Sequence, residues 1–168
     1  MERGRHRRRH SVTGWSKVIL ATALMTIALA PAAASAPEGH GTLTVDIGNV
    51  RVARGIVHVD VCPEATFLKE DCPWSGDAAA RLGETRVSVR NLPAGRYAVQ
   101  VFLDENGNRK VDRGLFGIPK EGIGFSNDAR IRFGPPKFAE AAFTFDGTSK
   151  VIRLNLRYFT GPSGPPSR

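Results

Sequence analysis

An oxygen-rich loop, residues 104–112, is the sharpest chemical motif in the sequence. Carboxylate or amide side chains stand at its first, third, fifth and ninth positions. Calcium takes about six to eight oxygen ligands on a flexible loop, and some of them are backbone carbonyls. With one carbonyl added, the candidate calcium ligands are Asp104, Asn106, Asn108, Lys110 and Asp112. Water or a more distant acid, such as Glu121, would complete the coordination shell.

Two positions of this loop depart from an EF-hand. Arg109 stands where the EF-hand has its glycine, and Leu115 stands where it has a bidentate acid. Arg109, Lys110 and Arg113 also reduce the local negative charge. The alternative is a polar turn in which Asn and Gly adopt left-handed conformations and Asx-turns close the backbone. The sequence leaves both interpretations open.

Residue types suited to catalysis are scarce after the N-terminal segment. His40 and His58 are the histidines there, and His58 stands among alternating valines as a surface or edge residue would. A Ser126–His58–Asp128 triad finds no support, because the sequence around Ser126 is not a nucleophile elbow. Asp104 and Glu121 could form a carboxylate pair for glycoside cleavage, but a chain with many acids offers many such pairs. The glycines of residues 114–124 match neither a P-loop nor a dinucleotide-binding fingerprint. We therefore predict no enzyme, with a hydrolase as the least favoured alternative.

Two cysteines, Cys62 and Cys72, are separated by nine residues. The spacing is not that of a Cys-x-x-Cys redox pair, and two thiols without nearby histidines make a poor zinc site. In an exported protein the pair predicts one disulfide that closes a small loop.

The N-terminus has the three parts of a signal peptide. A basic region with five arginines precedes an uncharged apolar run, residues 18–30, and then small residues. We expect cleavage after Ala34, with Ala36 as the alternative, so that residues 1–34 are removed. The apolar run is short for a membrane span, although an uncleaved anchor stays open, and Arg8-Arg9 leaves the twin-arginine route open. The product would be periplasmic or extracellular.

Removal of this leader changes the meaning of the net charge. The chain carries +8, but the leader holds six Lys or Arg and one acid, which leaves 18 basic and 15 acidic residues. Nucleic-acid binding requires a basic patch that persists in the folded domain. The mature sequence shows no Lys/Arg cluster, so we expect no nucleic-acid partner.

Alternating apolar residues predict an all-β domain over residues 35–160. Six segments have a period of two, near residues 42–47, 57–61, 87–89, 97–103, 143–145 and 152–158. We predict an antiparallel β-sandwich of about six or seven strands, immunoglobulin-like or prealbumin-like. Tyr97 follows a tight turn and is expected to bond back across it, as in a tyrosine corner. One or two helical turns are expected over residues 75–82, and a disordered tail over residues 161–168.

A long segment, residues 104–139, lacks a strand of ordinary length. Its apolar residues argue against disorder, while five glycines and three prolines between residues 114 and 136 argue against helix. We expect a large Ω-loop, packed on the sandwich by its own aromatic side chains. Loops on rigid scaffolds concentrate recognition residues. The candidate binding residues are Phe116, Glu121, Phe125, Ser126 and Asn127.

Several ordered motifs resemble domain-of-unknown-function family 2141. They are residues 92–99, 104–108, 117–122, 124–127, 138, 141–143 and 154–158. The resemblance covers the whole mature domain and implies an exported bacterial β-sandwich protein without a known reaction. The Cys62–Cys72 insertion lies outside these motifs, so the disulfide prediction rests on the export argument alone.

The sequence thus predicts an exported non-enzymatic binding or structural module whose ligand lies in the envelope or outside the cell. The alternative is a calcium-dependent envelope module that binds glycan or protein. No cofactor other than calcium, and no stable membrane span after cleavage, is expected.

Overall fold

The computed structural model describes residues 39–166, which belong to one compact unit that spans residues 35–168. The predicted signal peptide and both cleavage points lie outside the described residues. The described part contains eight strands: β1 (His40–Val50), β2 (Ile56–Cys62), β3 (Trp74–Ala79), β4 (Gly83–Pro93), β5 (Gly95–Asp104), β6 (Ile123–Phe125), β7 (Phe143–Phe145) and β8 (Ser149–Asn155). One short helix, α1 (Phe138–Ala141), and two 3-10 turns, Leu115–Gly117 and Ser126–Asp128, interrupt the long segment.

The strands form two packed sheets, which confirms the predicted β-sandwich. One sheet has the order β4-β1-β8, and the other has the order β3-β2-β5-β6, with β7 paired to β5 beyond the end of β6. The β1–β8 pair is parallel, whereas the other pairs of named strands are antiparallel. The chain crosses from one sheet to the other between β7 and β8, so no hairpin fixes the direction of β8 and a parallel pairing becomes available.

The core lies between the sheets and follows the alternation in the sequence. Leu43, Val45 and Ile47 of β1 are fully buried, and Val57 and Val59 of β2 face them from the other sheet. Successive side chains point to opposite faces of a strand. The residues between these valines therefore lie on the outer face of the five-stranded sheet, where the candidate site is found.

Tyr97 makes the predicted corner. Its hydroxyl donates a hydrogen bond to the Pro93 carbonyl at 3.2 Å, and its ring packs edge-on against Trp74. A Cβ at Gly95 would come within 2.7 Å of the Tyr97 hydroxyl oxygen, so only glycine fits beneath the ring. The corner thus fixes the start of β5, the strand that carries the centre of the candidate site.

The predicted helix over residues 75–82 is wrong, because β3 occupies this position. The alanines at 78–80 suit a helix on local propensity, but pairing of the segment with β2 prevails over it. A Cβ at Gly76 would lie 3.0–3.2 Å from atoms of β4 on the opposing sheet, so the small residues let the two sheets approach closely at this edge.

The long segment packs on the sandwich through only some of its apolar residues. Phe125 and Phe138 are buried, and both rings make edge contacts with Phe67 of the disulfide loop. Leu115, Phe116, Ile118 and Phe133 are exposed, which corrects the expectation that the segment buries its own aromatics. Three residues of the segment form β6 at the sheet edge, so part of the excursion is an additional edge strand.

The end of the chain, residues 161–168, is predicted to be disordered, and the structure describes residues 161–166 of it. Asn49 donates a hydrogen bond to the Ser163 carbonyl, and Arg51 donates to the carbonyls of Thr160 and Pro162. The described tail therefore lies against the end of β1. Within residues 39–166, no helix has the length and apolar character needed to cross a membrane.

Candidate functional site

Two rows of side chains cross the outer face of the five-stranded sheet from β3 to β6. One row runs through Asp77, His58, Phe102 and Ile123. The neighbouring row runs through Ser75, Asp60, Gln100 and Phe125. Directly opposed residues on neighbouring strands bring their Cβ atoms to within about 4.5–5.5 Å. The pairing register therefore places a histidine, two carboxylates, an amide and two phenylalanines side by side.

Both ring nitrogens of His58 contact carboxylates. Nδ1 lies 2.5 Å from Asp77 Oδ1, and Nε2 lies 2.9 Å from Asp60 Oδ1. An imidazole donates from both nitrogens only when it is protonated. The hydrogen bond to Asp60 and, less strongly, that to Asp77 raise the pKa of His58 from 6.5 to about 8, although burial opposes this. His58 is therefore a cation at neutral pH, between two carboxylates.

Gln100 attaches the disulfide loop to this face. Its Oε1 accepts a hydrogen bond from the Leu68 amide, and its Nε2 donates to the Lys69 carbonyl and to Asp60 Oδ2. The loop is closed by the Cys62–Cys72 disulfide, which confirms the predicted pairing. The floor of the site is thus a continuous hydrogen-bonded network whose polar groups satisfy one another.

A cavity of about 520 Å³ opens above this floor. This volume lies within the range of about 300–1,000 Å³ that is usual for small-ligand sites. The disulfide loop forms one wall with Leu68, Lys69 and Glu70, and the long segment forms the other with Arg109, Lys110, Val111 and Arg113. Phe102 contributes an aromatic surface, and its ring centroid lies 5.0 Å from that of His58.

The charge of the cavity lining is predominantly positive. Lys69, Arg109, Lys110 and Arg113 line the cavity together with a single further acid, Glu70, while protonated His58 is offset by Asp60 and Asp77. Asp60 is already engaged by His58 and Gln100. Arg109 and Lys110 make no side-chain ion pair or hydrogen bond with another described residue. Their charges remain available to a bound anion.

A second cavity, of about 640 Å³, lies beside the C-terminal tail. Its lining side chains already serve the fold. Asp128 accepts hydrogen bonds from the backbone and side-chain amides of Asn155, while Asn49 holds the Leu156 and Ser163 carbonyls. Because these side chains are tied to the backbone, we place the candidate site at the smaller cavity.

The predicted calcium ligands are brought together in one closed loop. Asp104 is fully buried, and its carboxylate accepts hydrogen bonds from the amides of Gly107, Asn108 and Arg109. The side-chain amides of Asn106 and Asn108 donate to Asp112. The side-chain oxygens of Asn106 and Asn108 accept from backbone amides two residues ahead, as in Asx-turns.

Glu121 lies beneath the same loop. It is 4% exposed, and its carboxylate accepts hydrogen bonds from the amides of Glu105 and Asp112. Burial raises the pKa of Glu121, and the nearby carboxylates of Asp112 and Asp104 raise it further, against the effect of the two amides. Among residues 39–166, no group of three or more His, Cys, Asp or Glu side chains is arranged to hold a metal ion.

The predicted binding residues of the long segment have mainly structural roles. Ser126 is buried, accepts a hydrogen bond from the Val99 amide and donates to the Ala141 carbonyl. Asn127 donates to the carbonyls of Glu140 and Ala142. Phe125 belongs to the aromatic cluster and also lines the cavity, whereas Phe116 projects into solvent.

The residues of the imagined triad therefore have separate partners. Ser126 bonds to the backbone, His58 to Asp60 and Asp77, and Asp128 to Asn155. The carboxylates of Asp104 and Glu121 are likewise both occupied by backbone amides. Neither set presents a free nucleophile or a free base.

Sequence reasoning missed the row of polar residues on the outer face. His58 and Asp60 are two residues apart on β2, so the alternation already placed them on one face. Asp77 was not assigned to this face because its segment was predicted to be helical. The positions of Gln100 and Phe102 next to Asp60 and His58 depend on the register of β2 with β5, which no local pattern encodes.

Comparison with known proteins agrees with the motif resemblance. No curated protein and no solved structure matches the chain. Residues 45–153, more than half of the chain, match the model of a family described as uncharacterized protein conserved in bacteria (DUF2141), and the chain belongs to this family.

Proposed function

We propose that this protein is an exported, non-enzymatic binding module, and that the cavity on the outer face of the five-stranded sheet is its ligand site. The main evidence for the proposal is the lining of that cavity, which contains the aromatic ring of Phe102 and more basic than acidic residues. Such a combination suits a small anion with an attached aromatic or apolar group. Its charge would pair with Arg109 and Lys110, while its apolar part would cover Phe102.

The network beneath the cavity supports binding rather than reaction. Both nitrogens of His58 are engaged by carboxylates, so the imidazole has no lone pair to accept a proton from a substrate. The disulfide and the Gln100 contacts hold one wall in place. A wall fixed before the ligand arrives reduces the ordering cost of binding.

Calorimetric titration with benzoate and phenyl phosphate tests this proposal. Both probes join an anion to an aromatic ring, and benzyl alcohol is the uncharged comparison. We expect both anions to bind in preference to benzyl alcohol. Substitution of Arg109 and Lys110 together by Gln should weaken anion binding by at least tenfold, because two charge-assisted hydrogen bonds are lost.

Arg90→Gln is the matched control. Arg90 is an exposed arginine of β4, in the other sheet, and makes no described ion pair. Its substitution changes the net charge without changing the cavity. Equal weakening by Arg90→Gln, or equal affinity for benzoate and benzyl alcohol, would argue against an anion site in this cavity.

A second candidate function is calcium-dependent binding by the 104–112 loop. The carboxylates of Asp112 and Asp104 favour it, because both raise the pKa of buried Glu121 and a cation would relieve this repulsion. Asp104→Asn and Asp112→Asn should each lower calcium affinity by more than tenfold, since neutral ligands replace charged ones.

Asp71→Asn, at an exposed acid of the disulfide loop, is the control and should leave calcium binding unchanged. Calorimetry on the unsubstituted protein decides first. If millimolar calcium produces no heat and a chelator does not change the melting temperature, the side-chain oxygens of residues 104–112 only stabilise the turn.

A further inference from the structure

The chain between Asp112 and Lys120 forms a tight, self-supported hairpin. The Lys120 amide donates to the Asp112 carbonyl, and the Gly114 amide donates to the Ile118 carbonyl, both at 2.8 Å. Arg113 donates from its guanidinium to the Gly117 carbonyl across the turn. We call residues 113–120 the apolar hairpin. Its backbone is fixed by these bonds and by the pairing of Arg113 with Pro119.

The tip of the apolar hairpin exposes large apolar side chains. Leu115 is 84% exposed, Phe116 is 98% exposed and Ile118 is 42% exposed. Phe116 has a φ of 57°, in the left-handed region that bulky residues rarely adopt. The fold thus holds an aromatic ring away from the protein in an unfavourable backbone conformation, instead of burying it with Phe125 and Phe138.

Four basic residues lie on this hairpin or just before it in sequence. Arg113 and Lys120 belong to the hairpin, and Arg109 and Lys110 lie just before it, all four exposed. Of the nearest acids in sequence, Asp112 accepts from the side-chain amides of Asn106 and Asn108 and is half-buried, while Glu121 is buried. Among residues 39–166, none of these four cations forms an ion pair with an acid.

We propose that the apolar hairpin docks on the surface of an anionic lipid bilayer, with Leu115 and Phe116 inserted among the acyl chains and the basic residues at the headgroups. The tip is a projection, which suits insertion into a deformable interface rather than capture of a partner side chain. Exposed apolar residues flanked in sequence by basic residues match the layers of such a membrane. The proposal shares Arg109 and Lys110 with the proposed cavity, but it rests on Leu115 and Phe116, which do not line that cavity.

Sedimentation with lipid vesicles tests the proposal on residues 35–168, the compact unit that contains the whole described core. Vesicles of phosphatidylglycerol mixed with phosphatidylcholine should bind the protein, and vesicles of phosphatidylcholine alone should bind it much less. Raising the salt to half-molar should weaken binding to the anionic vesicles, because exposed charges are screened. Lys120→Gln should weaken it by about fivefold, from loss of one surface charge.

Leu115→Ser with Phe116→Ser should lower binding to anionic vesicles by more than tenfold. Leu82→Ser is the matched control, since Leu82 is also an exposed leucine, at 53%, in a turn between strands. It should bind like the unsubstituted protein. Because these side chains are exposed, melting temperatures should stay within a few degrees of the original.

A Phe116→Trp variant reports insertion directly. Its fluorescence should shift to shorter wavelength with anionic vesicles, relative to the unsubstituted protein, which contains Trp74 as background. No binding to anionic vesicles, or equal binding by the double serine variant, would overturn the proposal. The proposal would also be overturned if the protein bound no lipid but could be cross-linked to a protein partner that the double serine variant does not bind. That result would assign the tip to protein recognition.

Discussion

The protonation of His58 makes the stability of the domain depend on pH. Its pKa in the folded protein is about 8, against an ordinary value of 6.5. The folded state therefore holds the proton more tightly than the unfolded state does. The stabilisation is fully present below pH 6.5 and is lost as the pH rises through about 8.

The size of this effect follows from the shift and from the exposure of the residues. A rise from 6.5 to about 8 corresponds to about 2 kcal/mol, at about 1.4 kcal/mol for each pKa unit. The His58 side chain keeps 22% exposure and that of Asp77 keeps 38%, so water screens the interaction. We therefore expect the free energy of unfolding to fall by about 1 kcal/mol between pH 6 and pH 9.

Urea denaturation at pH 6, 7, 8 and 9 measures this change. The comparison is with His58→Gln, which keeps polar contacts to the carboxylates but cannot titrate. The difference between the two proteins cancels the contribution of any other group that titrates in this range. It should decrease by about 1 kcal/mol across the series. Parallel curves for the two proteins would refute the ion-pair explanation.

The two carboxylates should contribute unequally to the pKa of His58. Asp77 makes the shorter contact, but the Asp60 side chain is 12% exposed, against 38% for Asp77. We give more weight to burial, because water screens the exposed partner more strongly. Asp60→Asn should therefore lower the pKa measured by NMR titration more than Asp77→Asn does, and Asp71→Asn should leave it unchanged. The opposite order would show that contact distance dominates.

Four further predictions concern the corner, the disulfide, the buried serine and export. Tyr97→Ala should cost about 3–5 kcal/mol of unfolding free energy and Tyr97→Phe about 1 kcal/mol, both by denaturant titration; equal costs would assign the whole effect to the hydroxyl. Mass analysis should find Cys62 and Cys72 in one linked peptide, and reduction should cost about 2–3 kcal/mol, whereas free thiols in exported protein would contradict the pairing. Ser126→Ala should cost about 1–3 kcal/mol, because the buried Val99 amide loses its acceptor; an unchanged melt would mean that another acceptor takes its place. N-terminal sequencing of exported protein should begin at Ser35, and retention of Met1 would exclude cleavage.

Local sequence patterns were sufficient for most of the fold. Alternation in β1, β2, β5 and β8 gave the core faces directly, because burial between two sheets demands apolar residues at every second position. The Tyr97 corner was predictable for a similar reason, since the turn before it and the strand after it are adjacent in the chain. The disulfide followed from the cysteine count and the expected compartment, without any long-range information.

Only the tertiary structure decided which residues share a site. Asp77 faces His58 because β3 pairs with β2. The alanines at 78–80 favour helix locally, and the backbone partners that overcome this preference come from a distant strand. The cavity joins residues 58–60 of one strand with residues 68–70 and 109–113 of two loops, and this proximity depends on strand register and loop packing. The exposure of individual side chains also depended on the tertiary structure. Phe116 and Phe125 both lie in the same glycine-rich segment. Only Phe125 belongs to a strand, β6, whose pairing with β5 brings its ring against Phe67.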